Sequence, residues 1–166
     1  MIQINDNIPE MMVRIVVGGK TKDISTTELF QGKTILFGLP GAFTPVCSKT
    51  QLPNFAQKEA ELKTKGFQKV ICMAVNDSFV ISAWKEQVAP DSGIIMLADG
   101  SALLTEALGL KADLTENHMG IRCQRFLMVV ADAKVSSINV EENSSVCTVS
   151  GVDTLLFRSK MMMSPL

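Results

Sequence analysis

Cysteine is the residue most able to do chemistry in this 166-residue chain, and it occurs at positions 47, 72, 123 and 147. None belongs to a C-x-x-C pair, and the single histidine, His118, has no cysteine at ligand spacing. Structural zinc wants closely paired ligands, so no metal is expected, and cysteine is too sparse for a disulfide-stapled fold. Thiols used singly fit a reducing compartment in which one can be kept for reaction. Cys47 is the best placed. In Gly38 to Gln51, GLPGAFTPVCSKTQ, a strand ends near Leu39, Thr44 can cap a helix and Pro45 suits its first position, so Cys47 falls in the first turn. A thiolate there meets unpaired backbone N–H groups and the positive end of the helix dipole, both of which favour it over the thiol. Packing as a small buried hydrophobe is the competing reading, since lone cysteines are most often used that way. Cys72 lies in the apolar run Val70 to Val75 and is expected to be buried and inert. Cys147 follows the polar stretch Glu141 to Val146, expected to be an exposed loop where a thiol is accessible and movement costs little. Cys123, between Arg122 and Gln124, reads as incidental. A Cys-His hydrolase would need His118 to reach Cys47, and nothing in the sequence places it there.

The elements that must hold Cys47 alternate strand and helix. Lys33 to Leu39 reads as a buried strand between Gly32 and Pro40-Gly41. The following helix carries Leu52, Phe55, Ala56 and Leu62, should kink at Pro53 and stops at Gly66. Val70 to Val75 is a second buried strand, after which Asn76-Asp77-Ser78 caps a helix whose apolar stripe reads as Phe79, Val80, Ala83 and Trp84, ended by Pro90. Ile94 to Leu97 is a third strand, Ser101 to Leu108 a short helix, and Arg125 to Val130 a fourth strand that turns at Asp132-Ala133 into Val135 to Val140. Ser150 and Asp153 resemble a capping box opening a last helix with Val152, Leu155 and Leu156. This alternation predicts an α/β layered fold with helices on both faces of a central sheet, made mixed by the late hairpin.

Composition narrows the function. Hydrophobic residues are 46%, charged residues 20%, and 16 Lys+Arg against 17 Asp+Glu leave a net charge of −1. That excludes a disordered chain, a collagen-like repeat and a basic nucleic-acid binder. Apolar stretches such as Ile35 to Leu39 and Phe126 to Ala131 are far shorter than a membrane span of roughly 18 residues. A soluble protein of one domain, residues 1–166, is expected, without a secretory signal.

The stretch Pro40-Gly41-Ala42-Phe43-Thr44-Pro45-Val46-Cys47-Ser48 resembles the P-x-x-x-T/S-x-x-C signature of peroxiredoxins, and its PGAFTP wording is similar to the type II, peroxiredoxin-5-like subfamily. The likeness continues through Val75 to Val80, Leu97 to Gly100 and Arg125 to Val130, in family order from about residue 5 to 157. The resemblance implies a thioredoxin-like fold and reduction of hydroperoxides to water or an alcohol. Cys47 is then the peroxidatic residue, oxidised to a sulfenic acid. Arg125 matches the family's active-site arginine, with Arg122 a rival three residues earlier. Thr44 sets its hydroxyl on the peroxide, Pro40 shapes the pocket wall, and the N–H groups of Val46 and Cys47 complete an anion site. Val46 departs from the Thr or Gly common in the family, at the rim rather than at a catalytic atom. Cys147 aligns with the resolving cysteine of animal-type members, which close a disulfide within one subunit, and Cys72 is the second choice. The alternative is a one-cysteine cycle in which an external thiol attacks Cys47. The resemblance further implies thioredoxin, glutaredoxin or glutathione as reductant, no cofactor, a homodimer, and an intracellular location, the cytoplasm first and the mitochondrion or peroxisome as alternatives. A non-enzymatic redox sensor on the same fold is the runner-up, while a disulfide reductase is disfavoured because Thr44 stands where its second cysteine would be.

Overall fold

The structure is a computed structural model that describes residues 1–156. Two features of the sequence lie outside the described residues: the Met161-Met162-Met163 run, and the Ser164-Pro165-Leu166 terminus, which resembles a peroxisomal address except that Pro stands where the address has a basic residue.

Three parallel strands form the centre: β3 (Lys33–Leu39), β4 (Lys69–Ala74) and β5 (Ile95–Ala98). The first two are buried almost end to end, as strands covered on both faces must be. Antiparallel strands flank them: β1 (Met12–Val17) and β2 (Lys20–Ser25) beyond β5, and β8 (Phe126–Ala131) and β9 (Lys134–Val140) beyond β3, giving the order β2-β1-β5-β4-β3-β8-β9. The late hairpin turns at Asp132 and Ala133, both at positive φ, which is the geometry of a two-residue type I′ turn. The sequence reading did not place the β1–β2 hairpin, α1 (Thr26–Leu29), or the small ribbon of β6 (Lys111–Leu114) and β7 (Gly120–Cys123).

Side chains alternating along the strands supply two cores. Ile35, Phe37, Cys72, Met96 and Leu127 face α2 (Leu52–Gln57), α3 (Glu59–Thr64), α4 (Ser78–Val88) and the helical residues 152–156. Leu36, Ile71, Leu97, Phe126 and Met128 face α1 and α5 (Leu103–Leu108). At Gly38 a Cβ would sit 2.1 Å from the Phe126 ring, so the backbone there must be bare for β3 and β8 to pack.

Three local expectations are corrected. The buried stripe of α4 is Ser78, Ile81 and Trp84, while Phe79 is 85% exposed and Val80 and Ala83 also face outward. The helix after Pro45 does not run on with a simple kink: it opens in a wide π turn over Cys47–Gln51, continues as α2 with Pro53 in its first turn, and breaks again at Lys58 before α3. Pro53 cannot donate to the Lys49 carbonyl and its ring would crowd it, which the wider turn upstream relieves. Ser150 does not form a capping box with Asp153, because its N–H, which the Asp153 carboxylate would have to accept, is given to Glu141.

Candidate functional site

The C-terminal end of β3 delivers the chain into the Pro40–Thr44 loop, the usual place for a ligand in an open α/β sheet. The loop is fixed from both sides. Ala42 donates its N–H to Asn76 Oδ1 at 2.9 Å, and Arg122 reaches the Pro40 carbonyl with Nη1 at 3.3 Å while its Nε holds Met119 O at 2.8 Å. Arg122 fills the space a Cβ on Gly41 would need, and so braces the loop from behind. Phe43 adopts positive φ and is half exposed.

Thr44 begins the helix through its carbonyl, which accepts from Ser48 N–H at 3.0 Å. Its hydroxyl donates to the Gly41 carbonyl at 2.7 Å. The hydroxyl proton is therefore committed to the backbone, and the oxygen's lone pairs are what Thr44 offers an incoming O–H. Cys47 heads the π turn, and the next residue, Ser48, accepts a 2.9 Å bond from Trp84 Nε1. A wide turn inside an α-helix is a frequent mark of a functional position.

Arg125 lies immediately before β8 and is 2% exposed. Its Nη1 donates to Gln51 Oε1 at 2.6 Å, and its Nε and Nη2 both donate to the Ser144 carbonyl, at 3.2 and 3.0 Å. These are neutral oxygens, which orient the fork of donors without cancelling its charge. Pro40, Thr44, Val46, Met119, Arg125 and Ser144 share the lining of one pocket of about 440 Å³ at the helix start. The geometry thus brings Arg125, distant in sequence, together with Pro40 and Thr44 beside the turn that Cys47 opens.

Cys147 is half buried, its Sγ 3.6 Å from Ser150 Oγ. The preceding residues 142–146 form the mostly exposed loop expected, but Glu141 at its start and the residues after Cys147 are not loose. Glu141 is buried at 6% exposure, and its Oε1 accepts from the successive N–H groups of Thr148, Val149 and Ser150 at 2.6, 2.7 and 2.9 Å, and from Ser150 Oγ. Its Oε2 takes the Thr148 hydroxyl at 2.9 Å. Consecutive N–H groups curled around an anion form a nest, so the Cys147 segment is wrapped on an internal carboxylate. Burial pushes the Glu141 carboxyl up, but the hydrogen bonds together outweigh it and hold it below the ordinary glutamate range.

The remaining candidates stand apart from this pocket's chemistry. Cys72 is fully buried in β4, paired in register with Phe37 and Met96. Cys123 is also fully buried, and its thiol is pushed far up by burial, with the nearby Asp99 charge acting in the same direction and a Thr105 hydrogen bond opposing. His118 is an exposed residue at positive φ after a short 3₁₀ turn. Among the described residues no cluster of His, Cys, Asp or Glu is placed to hold a metal, and no helix is long and apolar enough to cross a membrane. The sequence reading assigned nothing to Gln51, Ser144 or Glu141. Gln51 carried a signal, four residues after Cys47 and hence one turn along the same helix, whereas the Ser144 carbonyl has none.

Residues 3–156 match the redoxin family. Among curated proteins, the chain is 40% identical over 152 residues to peroxiredoxin-2B of Arabidopsis thaliana, covering 92% of this chain and 86% of that one. Among solved structures, it superposes on reduced Prx3 from Vibrio vulnificus in complex with hydrogen peroxide with a TM-score of 0.90 at 34% identity, over 99% of this chain and all of the other. It superposes on peroxiredoxin 5 from Alvinella pompejana with a TM-score of 0.81 at 32% identity, over 96% and 99% of the two chains.

Proposed function

The chain belongs to the redoxin family and is a type II peroxiredoxin, a thiol-dependent peroxidase on the thioredoxin-like fold, and on that premise we propose that Cys47 is its peroxidatic residue, served by Thr44, Arg125 and Pro40. The observation that carries this is the convergence of those three side chains on one pocket at the start of the helix that Cys47 enters. Helix-start N–H groups and a guanidinium favour thiolate over thiol. The Cys47 thiolate attacks the terminal oxygen of hydrogen peroxide or an organic hydroperoxide. As the S–O bond forms the O–O bond breaks, and the leaving oxyanion takes a proton to depart as water or an alcohol. Sulfur is oxidised to the sulfenic acid as the peroxide is reduced. Arg125 supplies donors where charge develops on the leaving oxygen, and Thr44 accepts the substrate O–H because its own proton is already given to Gly41. Pro40 walls the pocket and has no N–H to compete for the substrate.

Cys147 is the resolving residue in this reading. Its thiolate attacks the Cys47 sulfur, the S–S bond forms, and hydroxide leaves as water with the proton that Cys147 gave up. A dithiol such as thioredoxin or glutaredoxin then reduces the disulfide by exchange, ending oxidised itself. Arg125 supports this assignment, since it holds the Ser144 carbonyl and so ties the Cys147 segment to the peroxide pocket. Cys72 is disfavoured by its place in the core. The one-cysteine cycle, in which glutathione or glutaredoxin attacks the sulfenic acid, remains the second reading, favoured by the five bonds that hold the Cys147 segment on Glu141. A homodimer is also proposed. Phe79, Val80, Leu103 and Met12 are exposed apolar side chains, and three of them border one concave face of about 370 Å³, a surface suited to burial against a second copy. The cytoplasm, a reducing compartment, fits this thiol chemistry.

The test is hydroperoxide consumption with a dithiol reductant present. Wild type turns over and Cys47→Ser does not. Turnover retained by Cys47→Ser defeats the assignment, and a reactive Cys47 without turnover makes the protein a sensor instead.

A further inference from the structure

Gln51 is a buried polar side chain at the far end of the turn that Cys47 opens, at 1% exposure. Both ends of its amide are engaged. Oε1 accepts from Arg125 Nη1 at 2.6 Å, and Nε2 donates to the Ser150 carbonyl at 3.2 Å. The partners fix the amide's orientation, because a guanidinium can only donate and a carbonyl can only accept. Ser150 in turn gives its N–H and hydroxyl to Glu141, and its Oγ lies 3.6 Å from Cys147 Sγ. One side chain therefore joins the Cys47 turn, the pocket arginine and the segment that carries Cys147.

We propose that Gln51 is a positioning residue with two opposed effects: it holds Arg125 in the peroxide pocket, speeding oxidation of Cys47, and it pins the Cys47–Gln51 turn against the Cys147 segment, slowing disulfide formation. This rests on the reading of Cys47 and Cys147 given above. A disulfide needs its two Cα atoms within about 7 Å and its Cβ vectors facing. Movement of Cys47 toward Cys147 unwinds the turn, and unwinding breaks both bonds of Gln51. The same two bonds keep Arg125 aimed while peroxide is being reduced. The balance between the two half-reactions is thereby set at a residue that does not touch the substrate.

The test is stopped-flow fluorescence of the reduced full chain mixed with hydrogen peroxide. Trp84 is the only tryptophan and its indole bonds Ser48, beside Cys47, so its emission follows the turn. Oxidation gives a phase whose rate scales with peroxide, and disulfide formation gives one that does not. Rapid quenching and non-reducing peptide mapping assign the two species. In Gln51→Leu both bonds are lost. The peroxide-dependent phase should slow about tenfold to a hundredfold, the weight of a hydrogen bond to a charged group, and the peroxide-independent phase should quicken about fivefold, the weight of a neutral one. Gln51→Glu keeps an acceptor for Arg125 but cannot donate to the Ser150 carbonyl, so its first phase should fall less than that of the leucine variant while its second phase still quickens. A residue that only supports the fold would slow both phases together.

A second phase unchanged or slower in both variants overturns the proposal, as does an unchanged first phase in Gln51→Leu. If the leucine variant does not fold, the glutamate variant decides alone: a second phase that fails to quicken overturns it. A wild type that oxidises at Cys47 without joining Cys147 defeats the proposal together with the reading beneath it, and is seen before any variant is made.

Discussion

Replacing Glu141 by Gln isolates the carboxylate that organises the Cys147 segment. Five hydrogen bonds reach it, four of them at Oε1. The glutamine retains one carbonyl oxygen for the N–H groups and loses the charge. Charge-assisted bonds are worth about 1.5–3 kcal/mol against about 0.5–1.5 for neutral ones. Four donors on one oxygen do not add, so the equivalent of two downgraded bonds gives a loss of about 2–3 kcal/mol. In a chain of this size that lowers Tm by about 4–12 °C, at about 2–4 °C per kcal/mol. The sign with pH follows from the lowered carboxyl. A carboxylate held below its unfolded value stabilises fully above that value, near the ordinary 4.5, and loses the contribution as pH falls through the lower folded value. Urea unfolding of the reduced protein, followed by Trp84 fluorescence, should show a lower midpoint with an unchanged m-value at pH 7 and a narrowing gap between variant and wild type as the pH is taken below 4.5. A loss under about 0.5 kcal/mol at pH 7, the level of an ordinary surface substitution, would refute the nest, and so would a gap that stays constant into acid.

Three other perturbations address separate links. Arg125→Lys keeps the charge but cannot make the forked contact to Ser144 and Gln51, so kcat/KM for hydrogen peroxide should fall about a hundredfold or more, and a fall under about threefold in a peroxide-consumption assay would count against its role. Gly38→Ala drives a methyl into the Phe126 ring between β3 and β8 and should destabilise by about 1–3 kcal/mol, read by thermal unfolding; a neutral result would mean the ring can move. Phe79→Lys places a charge on the exposed apolar face of α4 and should shift sedimentation velocity from dimer toward monomer without loss of secondary structure; an unchanged species distribution would place any dimer contact elsewhere.

The central strands were legible because β3, β4 and β5 are short, largely apolar runs set between turn residues (Gly32 and Pro40, Gly66 and Asn76, Gly93 and Asp99), and a strand covered on both faces has to look that way. The β1–β2 hairpin was also visible in principle, as two strand-like runs around Gly18-Gly19, but its outer strand, KTKDIS, is too polar to announce itself. The stripe of α4 was misread for a different reason. Phe79 and Val80 are apolar and belong to the helix, yet they sit on its outer face, and a single sequence does not distinguish an apolar residue facing the core from one left exposed. At the site, Thr44, Cys47 and Pro40 could be read together because they lie within eight residues on one strand-to-helix turn. The family likeness, rather than any local pattern, picked out Arg125. Gln51 and Glu141 were missed because their roles exist only through space. Gln51 meets residues 74 and 99 positions away, and the partners of Glu141 are mostly backbone N–H groups, which every sequence has and none displays.

The most direct test of the cycle is to treat the reduced protein with one equivalent of hydrogen peroxide and map its peptides without reduction, in wild type and in Cys147→Ser. The account predicts a Cys47–Cys147 disulfide in the wild type, replaced in the variant by sulfenic acid at Cys47. Oxidised Cys47 with no disulfide to Cys147 would contradict the two-cysteine cycle, and an unreacted Cys47 would contradict the assignment of the peroxidatic residue itself.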